Sequence, residues 1–337
     1  MKSSVSPSKI AIVLPVYNVE NFLYQCLDSI LSQTYKHFVV FAINDGSTDR
    51  SAKILSQYKQ KDNRIVVIDQ KNKGLAAARN SALSEIEKDS SFSFICFIDS
   101  DDFVAPNFLK SHLEMINKKC ADVSICGFLK FSHAGNFRQQ HQLLHEQLLN
   151  NEDFINLIFS QKDWAKACGA GGMVWKHIYR CETVRGLRFP EDRLILEDEP
   201  YSILVAKRAK NFIYFPETLY YYRQSNNSLC KNKNFSVRRM HGRKLCLDQS
   251  STFSKSSQLA ILAAYVEAVI SLMKQGEPSP DLRIYAKNIK CAYRAKTLKT
   301  KTLILFFIFC YIPIISKIYI NLRKTHRKVR SLLGLRI

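Results

Sequence analysis

The sequence predicts an α/β protein with a Rossmann-like, mostly parallel sheet flanked by helices, followed by a helical, basic C-terminal extension. Three observations predict it. Strand-like and helix-like patterns alternate through the first hundred residues, as a parallel sheet with crossover helices requires. Each strand-like run ends in polar side chains able to hold a ligand, and open parallel sheets bind ligands at that edge. Beyond about residue 232 the strand patterns stop and the chain turns helical and basic. At 337 residues and 46% hydrophobic, the chain can build one large domain or two ordinary ones.

The elements follow in order. "KIAIVL" (Lys9 to Leu14) reads as a first strand and not as a secretory leader, because its short apolar run meets Pro15. In the next segment Phe22, Leu23, Cys26, Leu27, Ile30 and Leu31 recur at helical spacing. "FVVFAI" (Phe38 to Ile43) is a second strand, and "STDRSAKILSQYKQ" a helix with Ser and Thr at its start. "RIVVI" (Arg64 to Ile68) and "GLAAARNSALSEI" give a third strand and helix, and "FSFICFI" a fourth strand. Further on, "EMINKKCADVSICGFLKF" gives a helix and a strand, and "HAGNFRQQHQLLHEQ" (His133 to Gln147) a polar connection. Ten cysteines without a CxxC pair read as reduced and mostly buried thiols.

The fourth strand runs into Asp99, Asp101 and Asp102. Carboxylates there belong either to a solvated turn or to a site for a cation. The other strand ends add Pro15, Tyr17 and Asn18, then "NDGSTD" (Asn44 to Asp49), then Asn72, Lys73 and Gly74. The chain has no GxGxxG after its first strand, no GxxxxGK[ST] loop and no zinc-type Cys/His spacing. What remains is an aromatic ring, an acid, a basic patch and an acidic cation site. These are the groups that a nucleoside diphosphate carrying its own metal needs. Tyr17 can stack on a base and Asp45 can accept a base N–H. Asp99 and Asp101 can hold Mg²⁺ or Mn²⁺, and Lys73 or Arg79 can neutralise phosphate.

Three stretches, "LPVYNVENFLYQCLDSILSQTYKHFVVFAINDGSTDRS", "NKGLAAARNSAL" and "FIDSDDFVAPNFL", resemble the family 2 glycosyltransferases of the GT-A fold, as in bacterial cell-surface polysaccharide synthesis. The similarity resumes in "VWKHIYR", "LRFPEDRLILEDEPY" and "LYYYRQSNNS". The resemblance implies a nucleotide-sugar-binding half of a GT-A domain over residues 1–110 and an acceptor-binding, catalytic half over 111–230. A helical region over 231–300 and a membrane-associating segment over 301–337 complete the chain. It places Pro15, Tyr17, Asn18 and Glu20 at the base and ribose pocket, Asp45 on the uracil, and Arg79 by the diphosphate. Asp99 and Asp101 become a DxD metal motif, with Asp102 capping the next element. Glu197 and Asp198 match the family's ED motif, with Asp198 the general base of an inverting, metal-dependent hexosyl transfer from a UDP-sugar. Acids before Pro200 also suit a plain helix start. Trp175, His177 and Arg223 are implied neighbours of the acceptor or diphosphate. The chain departs from the family's Trp-Asn-Lys here, and a structural histidine and a surface arginine are the competing readings.

The net charge of +21 is uneven, with 14 Lys and Arg and no acid between Leu282 and Ile337. The apolar run Leu303 to Ile315 is short of the roughly 20 residues that cross a bilayer. It suits an interfacial or re-entrant segment on an anionic leaflet, against a buried core helix or a single span. The expected place is therefore cytoplasmic, on the inner face of the cell membrane, with a lipid-linked saccharide as acceptor and no nucleic acid as partner. Two readings compete: a metal-dependent nucleotidyltransferase, or a basic nucleic-acid-binding protein.

Overall fold

The computed structural model describes residues 8–132, 137–139, 145–159, 172–224, 235–275, 280–294, 298 and 300–311. Four strands pair in parallel in the order β3-β2-β1-β4: β1 (Lys9–Val16), β2 (Phe38–Asp45), β3 (Ile65–Gln70) and β4 (Phe92–Phe97). Alternation along β1 separates the two faces, as a two-residue period must. Ile10, Ile12, Leu14 and Val16 pack with α1 (Leu23–Leu31), α2 (Ser51–Lys61) and, further along the sheet, α4 (Phe108–Lys119). Ala11 and Val13 pack with Ala78, Ala82 and Leu83 of α3 (Leu75–Ile86) on the other face. Each large apolar side chain taken fully out of water there contributes about 1.5–3 kcal/mol.

The parallel order ends at β4. Among the described residues the sheet continues through β9 (His177–Arg180), β6 (Val123–Ser132), β10 (Phe212–Gln224) and the two-residue β5 (Phe103–Val104). Strand β9 runs antiparallel to both β4 and β6, while β6 and β10 are parallel. Short strands β7 (Phe137–Gln139) and β8 (Gln147–Leu149) lie within and just beyond the segment expected as a connection. The rest of that connection, residues 133–136 and 140–144, lies outside the described residues.

On the α3 face, α5 (Asn151–Phe159), α6 (Cys181–Val184) and α7 (Asp198–Arg208) complete the core. A separate apolar cluster joins α8 (Phe235–Asp248), α9 (Lys255–Met273), α10 (Ala286–Arg294) and α11 (Thr300–Tyr311). Helix α9 is long and apolar enough to cross a membrane, but 72% of its most apolar window is buried. Its packing against α5, α8, α10 and α11 accounts for that character. The apolar segment from Leu303 is partly core: Leu305 and Phe306 are buried, whereas Ile304 and Phe307 are 53% and 38% exposed. Residues 312–337, with the end of the apolar run and the basic tail, lie outside the described residues. Of the eight cysteines described, all free, five are buried.

Candidate active site

The carboxyl ends of β1 to β4 share one rim, because the four strands are parallel, and their loops are tied to one another. Asn18 accepts from the Thr48 N–H at 2.8 Å, and Glu20 from the Arg50 N–H at 2.8 Å. These two residues thus brace the β1 loop against the β2 loop. Pro15 is buried at the end of β1, while the Tyr17 ring beside it is 49% exposed and open to a stacking partner. Asp45 is buried and accepts from Gln70 Nε2 (2.7 Å), Lys73 N (2.9 Å) and Gly74 N (2.8 Å). It therefore fixes the β3–α3 loop, which carries the exposed Lys73 side chain. Gly46 makes this approach possible: its φ is +70°, and a Cβ there would lie 2.8 Å from the Asn72 nitrogen.

Arg79, buried on the first turns of α3, joins the two acidic clusters. Its Nη2 donates to Asp99 at 2.9 Å, and its Nη1 to Asp198 at 2.6 Å and Glu197 at 3.3 Å. Burial alone would lower the guanidinium's pKa, but Asp198, Asp99 and Glu197 together raise it above its ordinary value. The Phe189 ring lies 5.1 Å from the guanidinium carbon and stacks on Tyr201. Asn80 pins that segment by accepting from the Phe189 N–H and donating to the Phe189 carbonyl and Glu191. One helix thus sets both clusters, 119 residues apart for Arg79 and Asp198.

Asp101 is half-buried, and its carboxylate has no hydrogen-bond or ion-pair partner from another described residue. Burial, with the Asp99 charge beside it, pushes its pKa up to about 6. An unpartnered carboxylate next to Asp99 fits a hard divalent cation. No group of three or more His, Cys, Asp or Glu gathers to hold one among the described residues, so further ligands would come from the nucleotide or water. Asp198 is also raised, to about 7: burial dominates, Arg79 pulls it down, and Glu197 and Asp99 push it up. Such a carboxylate can take a proton near neutral pH.

Several expectations need correction. Asp102 does not cap the next element. It is fully buried and accepts from the Tyr220 hydroxyl (2.8 Å) and the Arg223 N–H (2.7 Å), fastening the aspartate turn to β10. Arg223 stands behind that turn, bonded to the Asp101 carbonyl at 2.6 Å and set between the Phe22 and Phe131 rings. It is therefore not a surface arginine. Trp175 is buried and stacked on Tyr220 and Tyr222. His177 is buried and bonded through Nδ1 to the Tyr179 hydroxyl at 2.8 Å. Burial, with the charge of Lys176, holds its pKa well below the ordinary value, so it is a neutral structural residue.

Sequence reasoning missed how the Glu197–Asp198 segment is held. Glu197 also accepts from Arg238 at 3.4 Å, Glu199 accepts from Arg243 Nε and Nη2 at 3.1 and 3.2 Å, and Leu196 N donates to the Arg238 carbonyl. Gly242 lets α8 come this close, since a Cβ there would lie 2.7 Å from the Leu196 carbonyl oxygen. Positions 238 and 242 stand one turn apart on a helix face with 243 beside them, a spacing visible in the sequence but hidden within a basic run.

The profile of Glycosyl transferase family 2 matches residues 11–179. Glycosyltransferase GlyA of Streptococcus pneumoniae is 31% identical over 226 residues, which is 66% of this chain and 32% of GlyA. EpsJ of Bacillus subtilis, an uncharacterized glycosyltransferase, is 33% identical over 65% of this chain and 62% of its own length. The chain therefore spans less than two thirds of these curated relatives. Among solved structures, S. aureus TarS 1-349 in complex with UDP-GlcNAc superposes with a TM-score of 0.68 at 18% identity, covering 95% of this chain and 92% of that one. The mannosyltransferase PcManGT from Pyrobaculum calidifontis, in complex with GDP-Man and Mn²⁺, gives 0.52 at 14% identity, over 94% and 89% of the two chains.

Proposed function

The chain belongs to glycosyl transferase family 2 and has the GT-A fold, and from that premise we propose that it is an inverting, metal-dependent transferase moving a hexose from a UDP-sugar to a saccharide hydroxyl. The observation that carries this reading is Arg79, which bonds Asp99 at the end of β4 and Asp198 at the start of α7 at once. Donor and acceptor chemistry can then meet at one guanidinium. The UDP-GlcNAc complex of TarS supports a uridine donor, and the Mn²⁺ beside GDP-Man in PcManGT supports a divalent cation.

In this reading Tyr17 stacks on the base, Asp45 orders the loop over it and accepts the uracil N–H, and Asn18 and Glu20 shape the ribose edge with Pro15. Lys73 and Arg79 face the diphosphate. A divalent cation held by Asp99 and Asp101 would supply charge neutralisation on the leaving diphosphate. Asp198 removes the proton of the acceptor hydroxyl as its oxygen bonds to the anomeric carbon. The bond from that carbon to the diphosphate oxygen breaks on the opposite face, so a single displacement inverts the centre. Glu197, held by Arg79 and Arg238, orients Asp198.

The C-terminal composition supports a lipid-linked acceptor met at the inner face of the cell membrane, in assembly of a bacterial surface polysaccharide. The test is calorimetric titration of UDP, with and without Mn²⁺, into the wild type and Asp101→Ala, followed by a panel of UDP-sugars. Binding strengthened by Mn²⁺ in the wild type alone is expected. Absence of UDP binding in every condition overturns the donor, and release of pyrophosphate instead of UDP would mark nucleotidyl transfer.

A further inference from the structure

We propose that Arg193 is a positioning residue, a latch tying the segment that leads to Asp198 onto the loop of the donor site. The inference rests on the donor and base roles proposed above. The segment from Phe189 to Glu197 leads into α7 and is held at both ends. Asn80 holds Phe189 and Glu191, and Arg238 holds Ile195 and, with Arg79, Glu197. Between these ends Asp192, Arg193 and Leu194 are all exposed, so apolar packing does not place them. Two bonds shape them into a turn. Leu194 N donates to the Asp192 carboxylate at 2.8 Å, and Ile195 N to the Asp192 carbonyl at 2.9 Å.

The turn carries Arg193 to the loop between β3 and α3. There its Nη2 donates to the Asn72 carbonyl at 3.0 Å and to the Asn72 side-chain oxygen at 2.9 Å. Among the described residues these two bonds are what joins residues 192–194 to another element, and Arg193 has no carboxylate partner. Asn72 is a firm anchor. Its nitrogen lies against Gly46, where a Cβ would come within 2.8 Å, and the next two residues donate their N–H groups to Asp45. The line of contacts therefore runs from Asp45, the proposed uracil contact, through residues 72–74 to Arg193, and along the turn to Glu197 and Asp198. A nucleotide that orders the Asp45 loop steadies the acceptors of Arg193, and with them the segment that delivers the proposed base. A cation on neutral acceptors at an exposed site makes a modest tie, one that can open and close.

The test follows amide hydrogen exchange of residues 192–196 in the full chain, free and with UDP and Mn²⁺, beside UDP affinity and turnover. In the wild type, UDP should slow exchange at the Leu194 and Ile195 amides by about tenfold. Arg193→Ala should abolish that slowing and lower kcat by about tenfold, with the rise toward pH 7 kept and UDP affinity within about threefold of wild type. Arg193→Lys should recover most of both effects, because one nitrogen makes both bonds. Asn72→Ala removes one acceptor and should fall between, and the double variant should be no worse than Arg193→Ala alone. UDP binding without slowing in the wild type, slowing that persists in Arg193→Ala, or additive effects of the two substitutions would overturn the latch. Absence of UDP binding would overturn the donor reading instead. The tie is then judged in the free chain, where Arg193→Ala should still speed both amides by about threefold, and unchanged exchange would overturn it.

Discussion

At the scale of single residues, the rim holds more carboxylate than its surroundings neutralise, and that excess has measurable consequences. Asp198 is held up to about 7, so below that pH it carries its proton and cannot accept another. Transfer efficiency should therefore rise about tenfold per pH unit up to near 7 and level above it. Asp198→Asn should lower kcat by about 10²–10⁴-fold and flatten that limb, with UDP affinity retained. A variant with wild-type turnover would remove Asp198 from the base role. Asp101 gives a second case, this time in stability. Its pKa is raised to about 6 in the folded chain against an ordinary value of 3.8. Its contribution to stability is thus fully present below about pH 4 and lost as pH rises through 6. In chelator at pH 7.5, Asp101→Asn should raise Tm by on the order of 3 °C, and the gain should shrink toward pH 4. A gain independent of pH would show that the charge is not its source.

At the scale of elements, α8 holds the loop that delivers Asp198, the proposed base. Gly242→Ala would push a methyl into the Leu196 carbonyl, 2.7 Å away, and shift the segment that carries Glu197 and Asp198. We expect kcat to fall by about tenfold or more while the UDP dissociation constant stays within about twofold, because the proposed UDP site lies on the other strand ends. Equal losses in both would mean a global disturbance instead. The same contrast explains what was legible in the sequence. Strands β1 to β4 and their helices show in local periodicity, and the rim follows from their being parallel. Strand β9 is four residues long and antiparallel to both neighbours, so no local pattern announces where it enters the sheet. Trp175 and His177 just before and within it could not be told from cleft residues, since the motif gives residue types but not which side of the sheet they face. The burial of Arg223 was hidden for the same reason: its neighbours in "YYYRQ" belong to a strand, and the carbonyl it braces is 122 residues away.

At the scale of the whole molecule, charge and exposed apolar surface gather at the same end of the chain. The segment from Leu282 to Ile337 carries 14 cations and no acid. Its described part exposes Ile284, Tyr293, Ile304 and Phe307, with Arg283, Lys287, Lys290 and Lys301 exposed among them. Surface attachment suits this charge and apolar exposure, with each Lys or Arg near an anionic leaflet worth about 1 kcal/mol at low screening. The full chain should co-sediment with vesicles rich in phosphatidylglycerol, not with phosphatidylcholine vesicles, and should be released as salt shortens the reach of charge. The double substitution Ile304→Asp and Phe307→Asp should weaken this binding by about tenfold or more, while UDP affinity and Tm stay near wild type, because both side chains point outward from the helical cluster. Indifference to that pair would leave charge alone as the attachment. Tighter retention on DNA than on anionic vesicles would mean that the basic end serves a nucleic acid and not a membrane.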